Sequence, residues 1–164
     1  MREIMIDVML DAGIDAGQVP GDVTVRHAVA AACMQAGISR KVTLCVRFAD
    51  DEAIRELNRE WRNKDVPTDV LSFPMQEGPD YTLEESLGDI ILSWPFVVRE
   101  ADRLGLTPQQ HAQHLIVHGV LHLLGFVHGE DMDAERMQAV ERKAMKQLGL
   151  HDPYAGQDIG ADDD

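Results

Sequence analysis

HGVLHLLGFVH, residues 118–128, sets histidines at 118, 122 and 128 and a glycine at 125. Residues four apart on an α-helix project to one side, so the imidazoles of His118 and His122 can aim at one ion about 2 Å away. Gly125, three positions after His122, can take the left-handed conformation that ends a helix and turns the chain. That turn returns His128 toward the first two rings. Leu115, Ile116, Val120 and Leu123 supply a separate apolar face on the same segment, so the core does not need the histidines. The spacing therefore predicts a metal-binding helix with His118, His122 and His128 as ligands. His111 and His114 fall on nearly the same face; His114 is a candidate for supporting the ligands from behind, and His111 reads as solvated.

Three neutral imidazoles leave the full charge of the ion uncompensated and, in tetrahedral geometry, one position open for water. Structural zinc sites usually close that position with a fourth ligand and are rich in cysteine, so an open site points to catalysis. The expected cofactor is one Zn2+ per chain, although three imidazoles also accept nickel, cobalt or copper. Such an ion lowers the pKa of bound water to about 7 and attracts phosphate. Metzincin metalloproteases share this spacing but place glutamate directly after the first histidine as general base. Here that position is Gly119, so the metal cage is kept and the peptidase base is missing.

Outward from the motif, Thr107 caps the helix and Pro108 suits its first turn, giving a helix over 108–124. Upstream, residues 4–10 read as a strand, 24–36 as a helix ended by Gly37, and 41–48 as a half-buried strand alternating Val42, Leu44, Val46 and Phe48. Asp50 caps a helix carrying Ile54, Leu57 and Trp61 that Pro67 stops at the latest. Residues 70–73 and 87–93 are further strands, and 94–104 and 133–148 further helices. The architecture implied is α+β, a small mixed sheet of about four strands covered by helices, with a metzincin-like metal-binding helix. Residues 1–154 form one domain. Apolar content falls away past His151, and residues 155–164 are an acidic flexible tail.

The chain's 164 residues suit one domain, and 45% hydrophobic with 27% charged residues describe a globular protein. No apolar run approaches a membrane span and residues 1–10 do not read as a signal peptide, so a cytoplasmic location without membrane contact is expected. Cys33 and Cys45 are far apart and read as buried free thiols. A net charge of -14 argues against a protein that coats nucleic acid by general electrostatics, so any nucleic-acid substrate must be gripped locally.

Two blocks resemble the YbeY family of bacterial endoribonucleases: the histidine motif with the following GEDMDAERM, and LNREWRNKDVPTDVLSFP, residues 57–74. GDIILS, residues 88–93, is also similar to the family's strand before the metal helix, and the likeness spans roughly residues 42–148. The resemblance implies a single-strand-specific, zinc-dependent endoribonuclease that matures the 3′ end of 16S rRNA and serves ribosome quality control. It makes His118, His122 and His128 the ligands and Arg62 the catalytically important arginine, whose guanidinium fork suits phosphate oxygens. Arg59 and Lys64, with Arg55, are candidate substrate contacts. Asp69 departs from the asparagine of many relatives and adds negative charge near the substrate cleft; Val127 departs from an aspartate.

The implied partners are the 16S rRNA precursor, the small ribosomal subunit and basic ribosomal proteins. An alternative is a ribosome-assembly factor with secondary hydrolysis, favoured by the acidic balance. A zinc peptidase is the third reading, and Gly119 weighs against it.

Overall fold

Alternation in the 41–48 stretch shows how the sheet divides its two faces. The computed structural model describes residues 4–38, 41–75, 86–126 and 131–155. In chain order its elements are β1 (Ile4–Leu10), α1 (Asp22–Gln35), β2 (Val42–Ala49), α2 (Asp51–Arg62), β3 (Val70–Pro74), β4 (Gly88–Ser93), α3 (Trp94–Leu104), α4 (Pro108–Leu123) and α5 (Asp131–Gln147). Val42, Leu44, Val46 and Phe48 are buried, while Thr43, Cys45 and Arg47 between them are half-buried. This period-two burial turns one face of β2 toward helices and leaves the other partly open.

The four strands form one mixed sheet in the order β1-β2-β4-β3, with β1, β2 and β4 parallel and β3 antiparallel to β4. The α+β expectation of a small mixed sheet under helices holds. The main core joins the inward residues of β2 and β4 to α1, α4 and α5 through Val29, Ile116, Leu121 and Met145. A smaller cluster on the opposite face holds α2 to the sheet through Ile54, Leu71 and Ile91. α4 is buried on most sides and lies against α1, α3, α5, β3 and β4, so the histidine helix is the central element of the helical layer.

The expected caps are present. The Asp50 carboxylate accepts from the Ala53 N–H at 2.8 Å. Thr107 and Gln110 form a reciprocal capping box at the start of α4, with Pro108 in the first turn. Cys33 and Cys45 are free thiols, the first buried and the second half-buried. The chain does not loosen immediately past His151. Asp152 accepts from the Tyr154 N–H at 2.9 Å and pairs with Arg142, folding residues 151–155 back against α5. Of the predicted tail, residues 156–164 lie outside the described residues. No helix among the described residues is long and apolar enough to cross a membrane.

Gly88 opens β4 where it pairs with Pro74, at a φ of +145°. A Cβ there would stand 2.3 Å from the Phe73 carbonyl oxygen and 2.9 Å from Leu123. Backbone cannot yield as a flexible side chain can. Gly88→Ala is expected to cost about 2–4 kcal/mol by adding strain to overpacking. A urea titration checks it, and an unchanged midpoint would contradict the close approach.

Candidate metal centre

His111, His114, His118 and His122 lie at helical spacings of three and four and form one stripe along α4. Neighbouring rings are 6.4, 6.2 and 4.6 Å apart along it. The closest pair is His118 and His122, whose Nε2 atoms are 3.1 Å from each other. Two imidazole nitrogens bound to one tetrahedral ion of zinc's size stand roughly 3.3 Å apart, from bond lengths of about 2.0–2.1 Å. The pair is thus spaced for a common ion.

The other nitrogen of His118, Nδ1, is 3.1 Å from Oε2 of Glu141 on α5, which His114 Nε2 also approaches at 2.9 Å. The Tyr154 hydroxyl donates to Oε1 at 2.6 Å. Glu141 is completely buried. Burial alone would raise its pKa, but the hydrogen bonds from His114 and His118 outweigh that and hold the carboxyl below its ordinary value. An ionised Glu141 requires N–H at His118 Nδ1, and that tautomer turns the His118 Nε2 lone pair toward His122. His114, His118 and Glu141 themselves offer ligand atoms within 4.8 Å of one another, a second arrangement that can hold a metal ion.

α4 ends as its sequence predicts. Gly125 has a φ of +104°, its N–H donates to His122 O, and the Phe126 N–H donates to Leu121 O. His128 and Val127, just beyond this turn, lie outside the described residues.

His118 and His122 line a cleft of about 640 Å³ between α4 and the wall formed by residues 66–72, which Asn58, Arg62, Lys64 and Tyr154 also line. Arg62 is the last residue of α2, and Asn63 caps the helix in the left-handed conformation at φ 58°. The buried Asn58 side chain donates to Val66 O at 2.9 Å and ties the following loop to the helix. Arg62 and Lys64 are exposed and enter no ion pair among the described residues, so both charges face the cleft unneutralised. Arg59 does not line the cleft: it and Arg55 are directed to Asp65, at 3.8 and 2.8 Å.

The model of the family described as Endoribonuclease YbeY matches residues 19–149. The chain belongs to the YbeY family. It is 41% identical over 157 residues to an endoribonuclease YbeY of Stenotrophomonas maltophilia, covering 94% of this chain and 96% of that one. A YbeY of Azorhizobium caulinodans is 45% identical over 126 residues, 77% of this chain and 79% of its own. The solution structure of a Thermotoga maritima protein matches with a TM-score of 0.54 at 23% identity, over 94% of this chain and all of that one, and supports the fold alone.

Within this YbeY chain, Gly119 has a packing reason. It is buried where α4 crosses β4, and a Cβ there would lie 3.0–3.1 Å from three Ile90 atoms. Glutamate at this position would press its carboxylate into the core, so it would not face the cleft as a metalloprotease base. Asp69 does line the cleft. Burial raises its pKa, against the lowering effect of the Val70 N–H and of His118, so its charge is costly where it sits.

Two residues escaped the sequence reading. Glu141 shares a helical face with the buried Met137, Ala144 and Met145, and an acid in phase with a core stripe was its signal. Tyr154 carries no sequence signal beyond being an aromatic residue past the last helix.

One expectation is overturned: His111 is not solvated but 5% exposed, and neither ring nitrogen has a hydrogen-bond partner among the described residues. Asp69 Oδ2 is 3.8 Å away. Burial, reinforced by His114, holds the imidazole down to about 4 from its ordinary 6.5. A depressed histidine favours folding above its unfolded pKa, and this contribution is lost as pH falls from 6.5 toward 4. His111→Leu removes that titration while filling a similar volume. In chelator-treated protein, the loss of stability between pH 6.5 and 4 should be shallower in the variant, as denaturant midpoints would show; parallel curves would place His111 in water.

Proposed function

We propose that this chain is a zinc-dependent, single-strand-specific endoribonuclease of the cytoplasm that matures the 3′ end of 16S rRNA within the small ribosomal subunit and takes part in ribosome quality control. The reading is carried by one observation: a buried carboxylate contacts His118, whose Nε2 meets that of His122 beside a cleft lined by two cations that enter no ion pair among the described residues. In it His118, His122 and His128 are the ligands. We prefer this set to His114, His118 and Glu141 because Glu141 is already satisfied by three hydrogen-bond partners and lies away from solvent. The YbeY names of the relatives support RNA as the substrate.

A zinc ion held by His118, His122 and His128 would act as a Lewis acid that polarises an oxygen for phosphodiester cleavage. The chain's own groups do the rest. Arg62 presents a permanently charged fork to two phosphate oxygens and stabilises charge that grows during cleavage. Lys64 adds a point charge along the strand. Arg59, turned to Asp65, contributes to the field near α2 without touching the cleft.

The net charge of -14 favours a companion role, contact with basic ribosomal proteins during assembly. Ligand-site variants that fold and still support subunit maturation would make that role the principal one.

Metal analysis and cleavage of a 16S precursor test the reading together. Wild type should carry one zinc, and alanine at His118, His122 or His128 should remove both metal and cleavage. Arg62→Ala should keep the metal and lower kcat about 10²–10³-fold, the range for losing a transition-state donor. A 5′-phosphate product would identify water as the nucleophile and a cyclic phosphate the ribose 2′-hydroxyl. Stoichiometric zinc with intact RNA would refute the activity.

Glu141→Gln should weaken zinc retention about 10–100-fold in chelator competition, as loss of an outer carboxylate usually does. Unaltered retention would show that the carboxylate does not orient His118.

A further inference from the structure

Trp61 is 69% exposed, the most exposed large hydrophobic side chain among the described residues. Leaving an indole in water forgoes the burial that normally places tryptophan inside. Its helical spacing from Ile54 and Leu57 predicts a core position, yet α2 buries Ile54 and leaves Trp61 outside. The ring is nevertheless not loose. It stands edge-on to Phe73 of β3, with centroids 6.2 Å apart and planes at 67°. An edge contact fixes the indole without covering both its faces.

The surroundings identify what such a face receives. Trp61 precedes Arg62, and both sit in the last turn of α2, whose Asn58 and Arg62 line the cleft. Ser72 lines the cleft, and Phe73, turned to the other face of β3, packs with Ile54 and Leu71 on the α2 side of this edge strand. A braced, exposed indole therefore stands by the edge strand, one residue along the chain from Arg62 of the cleft wall, and among the described residues Arg62 and Lys64 have no ion-pair partner. Phosphate on cations with a flat aromatic surface next to them is the arrangement that holds unstacked nucleic acid, because every base offers a π-face.

We propose that Trp61 is a stacking subsite for a nucleobase of single-stranded RNA next to the phosphate held by Arg62 and Lys64. The inference rests on the endoribonuclease reading and adds to it a substrate contact away from the metal. In a duplex the bases are already stacked on one another, so this subsite selects unpaired strands. It is tolerant of sequence, since stacking does not read base edges.

The test uses zinc-loaded full-length chain and a short single-stranded 2′-O-methyl RNA that resists cleavage through the 2′-hydroxyl. Trp94, the other tryptophan, is 5% exposed and packed edge-on against Phe48, so RNA-dependent quenching of emission reports on Trp61. Quenching should occur with the single strand and be weak with its duplex. Trp61→Ala should weaken binding roughly tenfold, Trp61→Phe should recover most of it, and an abasic oligonucleotide should bind wild type and W61A alike. Circular dichroism and Tm establish that each variant is folded. Equal binding of the base-bearing strand by wild type and W61A overturns the subsite, as does an equal loss with the abasic strand. Cleavage of unmodified RNA is scored separately: quenching without cleavage keeps the subsite and removes the reaction, and cleavage without a Trp61 effect does the reverse.

Discussion

A carboxylate with no access to solvent anchors the site. Glu141 lies in the apolar stripe of α5, where an unpaired charge would cost several kcal/mol even after relaxation. It is tolerated because His114, His118 and Tyr154 converge on its two oxygens. The same contacts join three parts of the chain that the sequence keeps apart: the histidine helix, the last helix and the segment after it. Removing any one partner leaves the carboxylate short of a donor, so the local fold and the tautomer of His118 are secured together.

Position across the cleft is set by different means. α4 approaches β4 closely because Gly119 presents no side chain to Ile90, and β3 pairs with β4 because Gly88 leaves room for the Phe73 carbonyl. On the facing wall, the left-handed Asn63 ends α2 one residue after Arg62, and Asn58 ties the loop that carries Lys64. Arg62 is thereby held at a helix terminus with a defined direction of exit, opposite nitrogens whose own spacing is fixed by a helical turn. Neither wall depends on a long flexible loop among the described residues.

Much of this was legible from local patterns. Spacing of four placed His118 beside His122, and Gly125 marked the helix end; period two gave β2, and Asp50 and Thr107 marked helix starts to the residue. What escaped was decided by contacts distant in sequence. His111 reads as solvated in the sequence, but α4 is buried along most of its length, His111 included. Arg59 resembles Arg62 as a cation on α2, and only the position of Asp65 separates their roles. Glu141 was hidden because a charged residue on a mostly polar helix draws no notice until its phase is compared with that of Met137 and Met145. Trp61 was misassigned for a related reason: helical phase shows which residues share a face, while the length of the opposing sheet determines how far along that face the burial extends.

An acidic chain that works on RNA has to reconcile two electrostatic scales. At physiological salt, charges more than about 8 Å apart are largely screened, so the net charge of -14 acts weakly on a phosphate already inside the cleft. There the field is set by neighbours: Arg62 and Lys64, which enter no ion pair among the described residues, the proposed zinc, and Asp69, whose ionisation burial resists. Outside the cleft the acidic surface opposes indiscriminate adsorption to phosphate backbones. Productive binding then depends on contacts that the cleft and its rim supply and on whatever brings the strand to it. For a nuclease, weak general attraction with a strong local site limits damage, because only a strand that enters the cleft gains enough contacts to stay.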